Sequence, residues 1–451
     1  MGAKPEFALQ SQPQSQPGTL PTKRTVSLAV AIILLVVGAG AGVGATYVGL
    51  TLNKPTTVAL CNSGQTITIG ELLDLSGSLS DQGKKAQDSS TLAVKDINSA
   101  LATTGCNLKF AISVDDYAHD NAKALTGLQT FAASGISVVV GPLNSAAALY
   151  ILDYANTHHI VLISPSSTSP TLALPNDYLF RTAPNDVAQG AADGRMLWDR
   201  GAKAVIIIEI HDAYGDGLAN ATATKFKSLG GTVIDTVPYD ESATTFTSQV
   251  DQIYNDYTGN NSTKGPIAID AISFQEFGTI IQEMNSAHPA LLNTRMPWFG
   301  TDGEAQNSLI ANSSSTVGAL VAKVRLPSTL YASANNTRTL AFLASGGEFA
   351  TAYPNVGCDT YCLGAYDDVW LGALSTMQAG STDGAKIQSV IASTAFGMYG
   401  LTGPMALQPS GDRIPTSYQI WKVITSGTGG TWKLAGTWDE TSDSITWTSP
   451  P

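Results

Sequence analysis

The stretch Val138–Pro170, VVVGPLNSAAALYILDYANTHHIVLISPSSTSP, restricts the possible folds of this chain more than any other. A short, β-branched apolar run from Ile136 to Val140 stops at Gly141 and Pro142. Ala146 to Ala155 carries apolar residues at helical spacing, and Ile160 to Ile163 is a second apolar run. A strand–helix–strand unit whose strands have no polar face predicts parallel neighbours in a sheet covered on both sides. Both strands lead into loops of small and hydroxylated residues, Asn144 and Ser145 after the first and Ser166, Ser167 and Thr168 after the second. Open α/β sheets bind ligands at the carboxyl ends of their strands. Small residues admit a ligand to the backbone, and free N–H groups at a helix start favour an anion such as a carboxylate. One such loop could simply cap its helix. Two at neighbouring strand ends favour a binding cleft.

The same rhythm recurs along the chain. Thr66–Leu75 reads as a buried strand, SGSLSDQG as its exit loop, and Gln82–Ile97 as a helix. Leu108–Val114 is a strand ending in DDYAHD, and Ala122–Ala133 a helix. After FRTAP, residues 180–184, a second series begins, with helix Val187–Trp198, strand Ala204–Ile210, exit loop HDAYGDG and helix Leu218–Leu229. Thr232–Pro238, Ala268–Phe274 and Met296–Phe299 follow as strands, the last ending in GTDG. Gly318–Leu326 reads as an exposed apolar crossing toward Pro327, and 340–391 as mostly helical. Gly400–Arg413 is a turn-rich crossing, and Ser417–Thr425 with Thr431–Asp439 looks like a closing antiparallel pair. The expectation is α/β, with two doubly wound three-layer lobes and more than two passages between them. Residues 66–182 and 327–405 would form the first lobe, and 183–326 and 412–449 the second.

Charged residues make up only 13% of the chain and the net charge is −12, so no basic face exists to neutralise the phosphates of a nucleic acid. Residues 1–24, rich in Gln, Ser and Pro, read as a disordered cytoplasmic tail. No charge occurs between Thr25 and Asn53, and 25–50 is long and apolar enough for a transmembrane anchor. Lys23 and Arg24 just before it hold the N-terminus inside the cell, which leaves linker 51–65 and everything beyond outside. A cleaved signal peptide, with small residues at Gly44 and Ala45, is the alternative. Sequons at Asn220, Asn260, Asn261, Asn312 and Asn335 fit an outside location, though such triplets also arise by chance.

Four cysteines allow two bridges. Cys61 and Cys106 each precede a first-lobe strand and would meet if those strands are parallel neighbours. Cys358 and Cys362, in GCDTYC, could close a small loop. Four free thiols are the alternative.

Catalytic motifs are missing: the sequence has no nucleophile elbow, phosphate-binding loop or His-Glu-x-x-His pattern. SDQGK lacks the spacing of a serine acylase. DDYAHD reads as capping carboxylates rather than a metal site. Of His158 and His159, one is expected buried and the other exposed. Neither an enzyme activity nor a cofactor or metal is expected.

IGELLDLSGSLSDQGKKAQDSSTLAVKDIN, DDYAHDNAKA, VVVGPLNS, VLISPSSTSP, LFRTAPND, IIIEIHDAYGDG, WFGTDG and LTGPMAL occur in this order. Together they resemble the extracytoplasmic substrate-binding proteins of ABC importers of the leucine/isoleucine/valine type, over about residues 66–445. The resemblance implies the type 1 periplasmic-binding-protein fold, with three hinge crossings and closure on a small ligand. Together with the anchor at 25–50, it gives the expectation of a membrane-anchored, monomeric ectodomain that delivers an amino-acid-like ligand to an ABC permease. By position, Ser145, Ser166 and Thr168 would hold the ligand carboxylate and share its amino group, with Ser167 in the same loop. Tyr214 would close from the second lobe, and Asp302 would take the ammonium. Phe274 or Phe277 would line the side-chain pocket. Asp216 fits better as a helix cap. Because neighbouring N–H donors would remain, Ser145→Ala is expected to cost less affinity than Asp302→Asn. Gln82, Ser166, Ser167 and the short acid Asp302 depart from the family pattern, which opens the alternative of a more polar amino acid or an amide or urea-like ligand. A sensor or receptor ectodomain is the other reading.

Overall fold

The computed structural model describes residues 55–292, 297–333 and 336–451. The proposed tail and anchor, and the sequon at Asn335, lie outside these residues. Among the described residues no helix is long and apolar enough to cross a membrane.

The first lobe is built on five strands, β1 Thr66–Leu73, β2 Lys109–Asp116, β3 Val138–Val140, β4 Val161–Ser164 and β5 Leu179–Arg181, in the order β2-β1-β3-β4-β5. All four pairings are parallel. The pleat explains why the strands have no polar face. Val138, Val140, Val161 and Ile163 pack into one apolar layer with Leu92, Val369 and Ile391 of helices Ser80–Thr103, Thr360–Ala379 and Gly384–Phe396. Their neighbours Val139 and Leu162 pack into the opposite layer with Leu128, Phe131 and Ile151 of helices Asn121–Ala133 and Ser145–His158. Leu162→Ala would open a cavity costing about 2–5 kcal/mol.

The parallel β1–β2 pairing starts at Thr66 opposite Lys109, which brings the preceding cysteines together. Cys61 and Cys106 are bridged with Cα atoms 4.6 Å apart, and Cys358 is bridged to Cys362. Both expected pairs are therefore present.

The second lobe contains β6 Ala204–Ile210, β7 Thr232–Tyr239, β8 Ile267–Ile272, β9 Trp298–Gly300 and β10 Pro327–Tyr331. The short strands β11 Tyr399–Gly400 and β12 Gly403–Pro404 pair only with each other. β13 Ser417–Ser426, β14 Gly429–Asp439 and β15 Ser444–Trp447 complete an eight-stranded sheet in the order β15-β14-β13-β10-β9-β8-β6-β7. Its core holds Phe226, Phe246, Phe277, Trp298 and Phe299.

Four expectations are corrected here. Residues 327–331 belong to the second lobe, because β10 pairs with β9 and β13, so the chain returns to the first lobe only after Tyr331. The apolar run at 318–326 is mostly helix, Thr316–Val324, capped by the Ser315 hydroxyl, and Val321 and Ala322 face the core. The helix expected at 218–229 starts five residues earlier, at Ala213, because Asp212 caps it with bonds from the Tyr214 and Gly215 N–H groups. His158 and His159 are both exposed, at the helix end and its left-handed cap.

The chain passes between lobes after β5, after β10 and between β12 and β13. The first and third passages touch. The Arg181 N–H donates to the Gly411 carbonyl and the Arg413 N–H to the Arg181 carbonyl, each at 3.0 Å. The fully buried Arg181 guanidinium meets Asp412 at 2.6–2.7 Å and donates from Nη1 to the carbonyls of Ser167 (3.1 Å) and Ser169 (2.8 Å).

Candidate functional site

The two first-lobe loops fold onto each other. Ser145 Oγ accepts from the N–H groups of Thr168 (3.1 Å) and Ser169 (3.0 Å). Those N–H groups are therefore committed to Ser145, contrary to the expectation that they stay available for a ligand. Among the described residues, the Ser145 hydroxyl itself donates to no protein acceptor. Ser166 Oγ donates to the Leu143 carbonyl at 2.8 Å, and Ser167 Oγ donates to Ser164 Oγ at 2.7 Å. Both hydroxyls stabilise the loop rather than offer a donor. The Thr168 hydroxyl is buried and forms no hydrogen bond.

On the second lobe, Asp302 follows β9 in the GTDG turn. Glu304 pins this turn, accepting from the Thr301 N–H at 2.7 Å and the Ser273 N–H at 2.9 Å. Gly303 is required at this close approach, since a Cβ there would come 2.0 Å from the Ser273 carbonyl oxygen. Asp302 Oδ1 accepts from Gln189 Nε2 (2.7 Å) and the Tyr214 hydroxyl (2.8 Å), and Oδ2 from the Tyr361 hydroxyl (2.5 Å). Tyr361 opens helix Thr360–Ala379 of the first lobe, so this carboxylate joins the lobes. Burial raises the Asp302 pKa, opposed by its bonds from Tyr361, Tyr214 and Gln189.

Asp186 lies beside this group, at the start of helix Asp186–Asp199. It is fully buried, and neither carboxylate oxygen accepts a hydrogen bond. The Thr168 hydroxyl is next to it without bonding geometry, while the Asp186 N–H donates to the Thr168 carbonyl at 2.9 Å. Burial, and then the charge of Asp302, push the Asp186 pKa well above the carboxylate range. The hydroxyls of Tyr214, Tyr361 and Tyr418 are likewise raised by burial and by the Asp302 and Asp186 charges. Two acids among three tyrosine hydroxyls form an environment that favours a positive group through ion pairing. The described residues place no lysine or arginine in hydrogen-bond contact with either acid.

Further contacts close the lobes on each other. Gln275 Nε2 donates to the Gly77 carbonyl at 2.8 Å and Lys85 Nζ to the Gln306 carbonyl at 3.0 Å. Lys85 also pairs with Asp81 at 2.6 Å. Gln82 is buried at the same seam and reaches the Asp302 carbonyl only at 3.5 Å. Phe274 stacks on Tyr214 with ring centroids 5.1 Å apart. Phe277, the alternative lining residue, instead sits in the second-lobe core against Trp298 and is withdrawn from the site. Asp216 is not the helix cap, since Asp212 has that place; Asp216 bonds His211 at 2.9 Å.

The structure thus gathers Ser145, Ser166, Ser167 and Thr168 on one side and Tyr214 and Asp302 on the other. Sequence reasoning missed Asp186, Gln189 and Tyr361. Asp186 and Gln189 stand one helical turn apart in DVAQ, where a face-to-face acid and amide was the available signal. Tyr361 had no local signal, because its role depends on the lobes meeting.

The family described as periplasmic binding protein matches residues 66–428. An uncharacterized protein of Methanocaldococcus jannaschii is 30% identical over 426 residues, covering 90% of this chain and 97% of the relative. A leucine-binding protein from Thermotoga maritima superimposes with a TM-score of 0.68 at 20% identity, covering 81% of this chain and 97% of its own. A branched-chain amino acid transporter binding protein from Streptococcus pneumoniae, in complex with isoleucine, gives 0.64 at 22% identity, with 82% and 99% covered.

Proposed function

Because the chain belongs to the periplasmic binding protein family, we propose that it is the extracytoplasmic binding protein of an ABC importer and captures a small ligand with an α-amino acid headgroup between its lobes. The observation that carries this reading is the buried Asp186 carboxylate, unbonded, beside Asp302 and the unbonded Thr168 hydroxyl. The ligand ammonium goes to Asp302 and Asp186. Its carboxylate takes the free hydroxyl hydrogens of Ser145 and Thr168. Tyr214 and Phe274 flank the ligand, with Gln82 at the rim. Ser166 and Ser167 hold the loop. Leucine and isoleucine binding by the Thermotoga and Streptococcus proteins supports an amino acid as the ligand class. The two disulfides support an oxidising, extracytoplasmic location. The segment at 25–50 anchors the domain to the membrane beside its permease, a reading supported by its uncharged, apolar sequence.

A thermal-shift screen of amino acids, amides and urea-like compounds tests the ligand class, followed by calorimetry on the best hit. Asp302→Asn is expected to weaken an amino acid by about 1.5–3 kcal/mol. An unchanged affinity rules out the ammonium at Asp302. Stabilisation by neutral amides alone would leave the fold intact and overturn the amino acid reading.

A further inference from the structure

We propose that Glu209, His211 and Asp216 form a binding site for a divalent metal ion of the zinc class on the second lobe. Their potential ligand atoms all lie within 4.8 Å of one another. Glu209 interrupts β6, whose sequence AVIIIEI is otherwise wholly apolar. It is held in register between Pro238 of β7 and Ile272 of β8. The residue is only 6% exposed, and Oε2 is enclosed and accepts no hydrogen bond. A buried carboxylate without a partner is costly, and a cation held between it and the two donors beside it would offset that cost.

The other two donors face solvent. The His211 and Asp216 side chains are 66% and 51% exposed, and the imidazole Nδ1 lies 2.9 Å from Asp216 Oδ1. Two acids, Glu209 and Asp216, thus stand beside one imidazole. Asp212 and Asp240 add negative charge around His211. One nitrogen and two carboxylate oxygens suit Zn²⁺, which takes three protein ligands and completes a tetrahedron with water. Donors in such a tetrahedron are roughly 3.3 Å apart, from zinc bonds of about 2.0–2.1 Å. Rotation of the two exposed side chains would close the remaining gap.

The position gives the site a consequence for the cleft. His211 and Asp216 bracket Asp212, which caps the helix, and Tyr214, whose hydroxyl bonds Asp302. An ion tying them to Glu209 would brace the first turn of the Tyr214 helix against the sheet. This inference stands independently of the ligand proposed above.

The test is calorimetric titration of the chelator-stripped full chain with zinc chloride, paired with the visible absorption of the cobalt-loaded protein. The wild type is expected to take one equivalent at this site. Glu209→Gln and His211→Ala should each weaken that equivalent at least about tenfold, since even outer-shell changes reach that size. His211 is exposed, so its variant tests the site even if Glu209→Gln misfolds. Absence of uptake by the wild type, or an undiminished equivalent and cobalt spectrum in His211→Ala, overturns the proposal.

Discussion

Asp186→Asn is expected to move stability and ligand affinity in opposite directions. The wild-type carboxyl is fully buried, accepts no hydrogen bond and faces the charge of Asp302. Leaving a polar group buried and unpaired costs about 1–3 kcal/mol. Asn keeps the shape and removes the charge, and its own unpaired amide gives back part of that cost. It also gives up the attraction between a first-turn acid and the helix N-terminus, about 0.3–1 kcal/mol. The net gain is then between about 0 and 2.7 kcal/mol, or up to about 11 °C in Tm for a lobe of this size. Because the folded-state pKa is raised, wild-type stability is fully present below the unfolded carboxyl pKa and falls as pH rises above it. The advantage of the variant should therefore grow from pH 5 to pH 8. Binding should weaken by about 1.5–3 kcal/mol, roughly tenfold to 150-fold, because a bond to a charged partner is lost. Differential scanning fluorimetry across pH, and calorimetry with the amino acid that gives the largest thermal shift, read both quantities. A lower Tm at every pH would mean that Asp186 has a structural partner. An unchanged affinity would mean that it does not face the ligand.

Glu71, inside β1, is fully buried with both oxygens unbonded, and burial lifts its pKa to about 8 against the opposing influence of the nearby Ser90 hydroxyl. Wild-type stability should fall as pH climbs from 5 to 8, by up to about 4 kcal/mol, and Glu71→Leu should flatten that slope in urea unfolding. Equal slopes would refute it. The two disulfides should differ in worth, since they close loops of 45 and 4 residues. Chain entropy gives about 4 kcal/mol for Cys61–Cys106 and about 2 kcal/mol for Cys358–Cys362. Denaturant unfolding of the paired Ser variants measures both, and a larger loss for the short loop would count against this ordering.

What could be read in the sequence was local. Uniformly apolar strands such as Val138–Val140 and Ala204–Ile210 declare a sheet covered on both faces, and their polar exits mark one end of it. Cys61 and Cys106 could be paired because β1 and β2 are sequential neighbours. The misses came from elements whose meaning is tertiary. Pro327–Tyr331 looked like the start of a returning segment, yet its register is set by β9 and β13, from opposite directions along the chain. Asp186 sits in a helix whose first turn often carries an acid, so the pairing of Asp186 with Gln189 in DVAQ was too weak a signal to separate a ligand-facing carboxylate from a helix-terminal charge. Phe277 and Phe274 are three residues apart, and only the fold separates the core ring from the one stacked on Tyr214.

Arg181 has a mechanical consequence. One guanidinium clamps the Ser167 and Ser169 carbonyls and, through Asp412, the third crossing. The first-lobe half of the cleft is thereby mounted on the pivot itself. If the second lobe swings about these crossings, points near Arg181 would move least, and the arc would lengthen with distance from it. Opening would then alter the gap to Asp302 and the first turn of the Tyr214 helix while the Ser145–Ser169 cradle keeps its shape. The cradle behaves as a fixed jaw, and the work of closing is done at the far end of the lever.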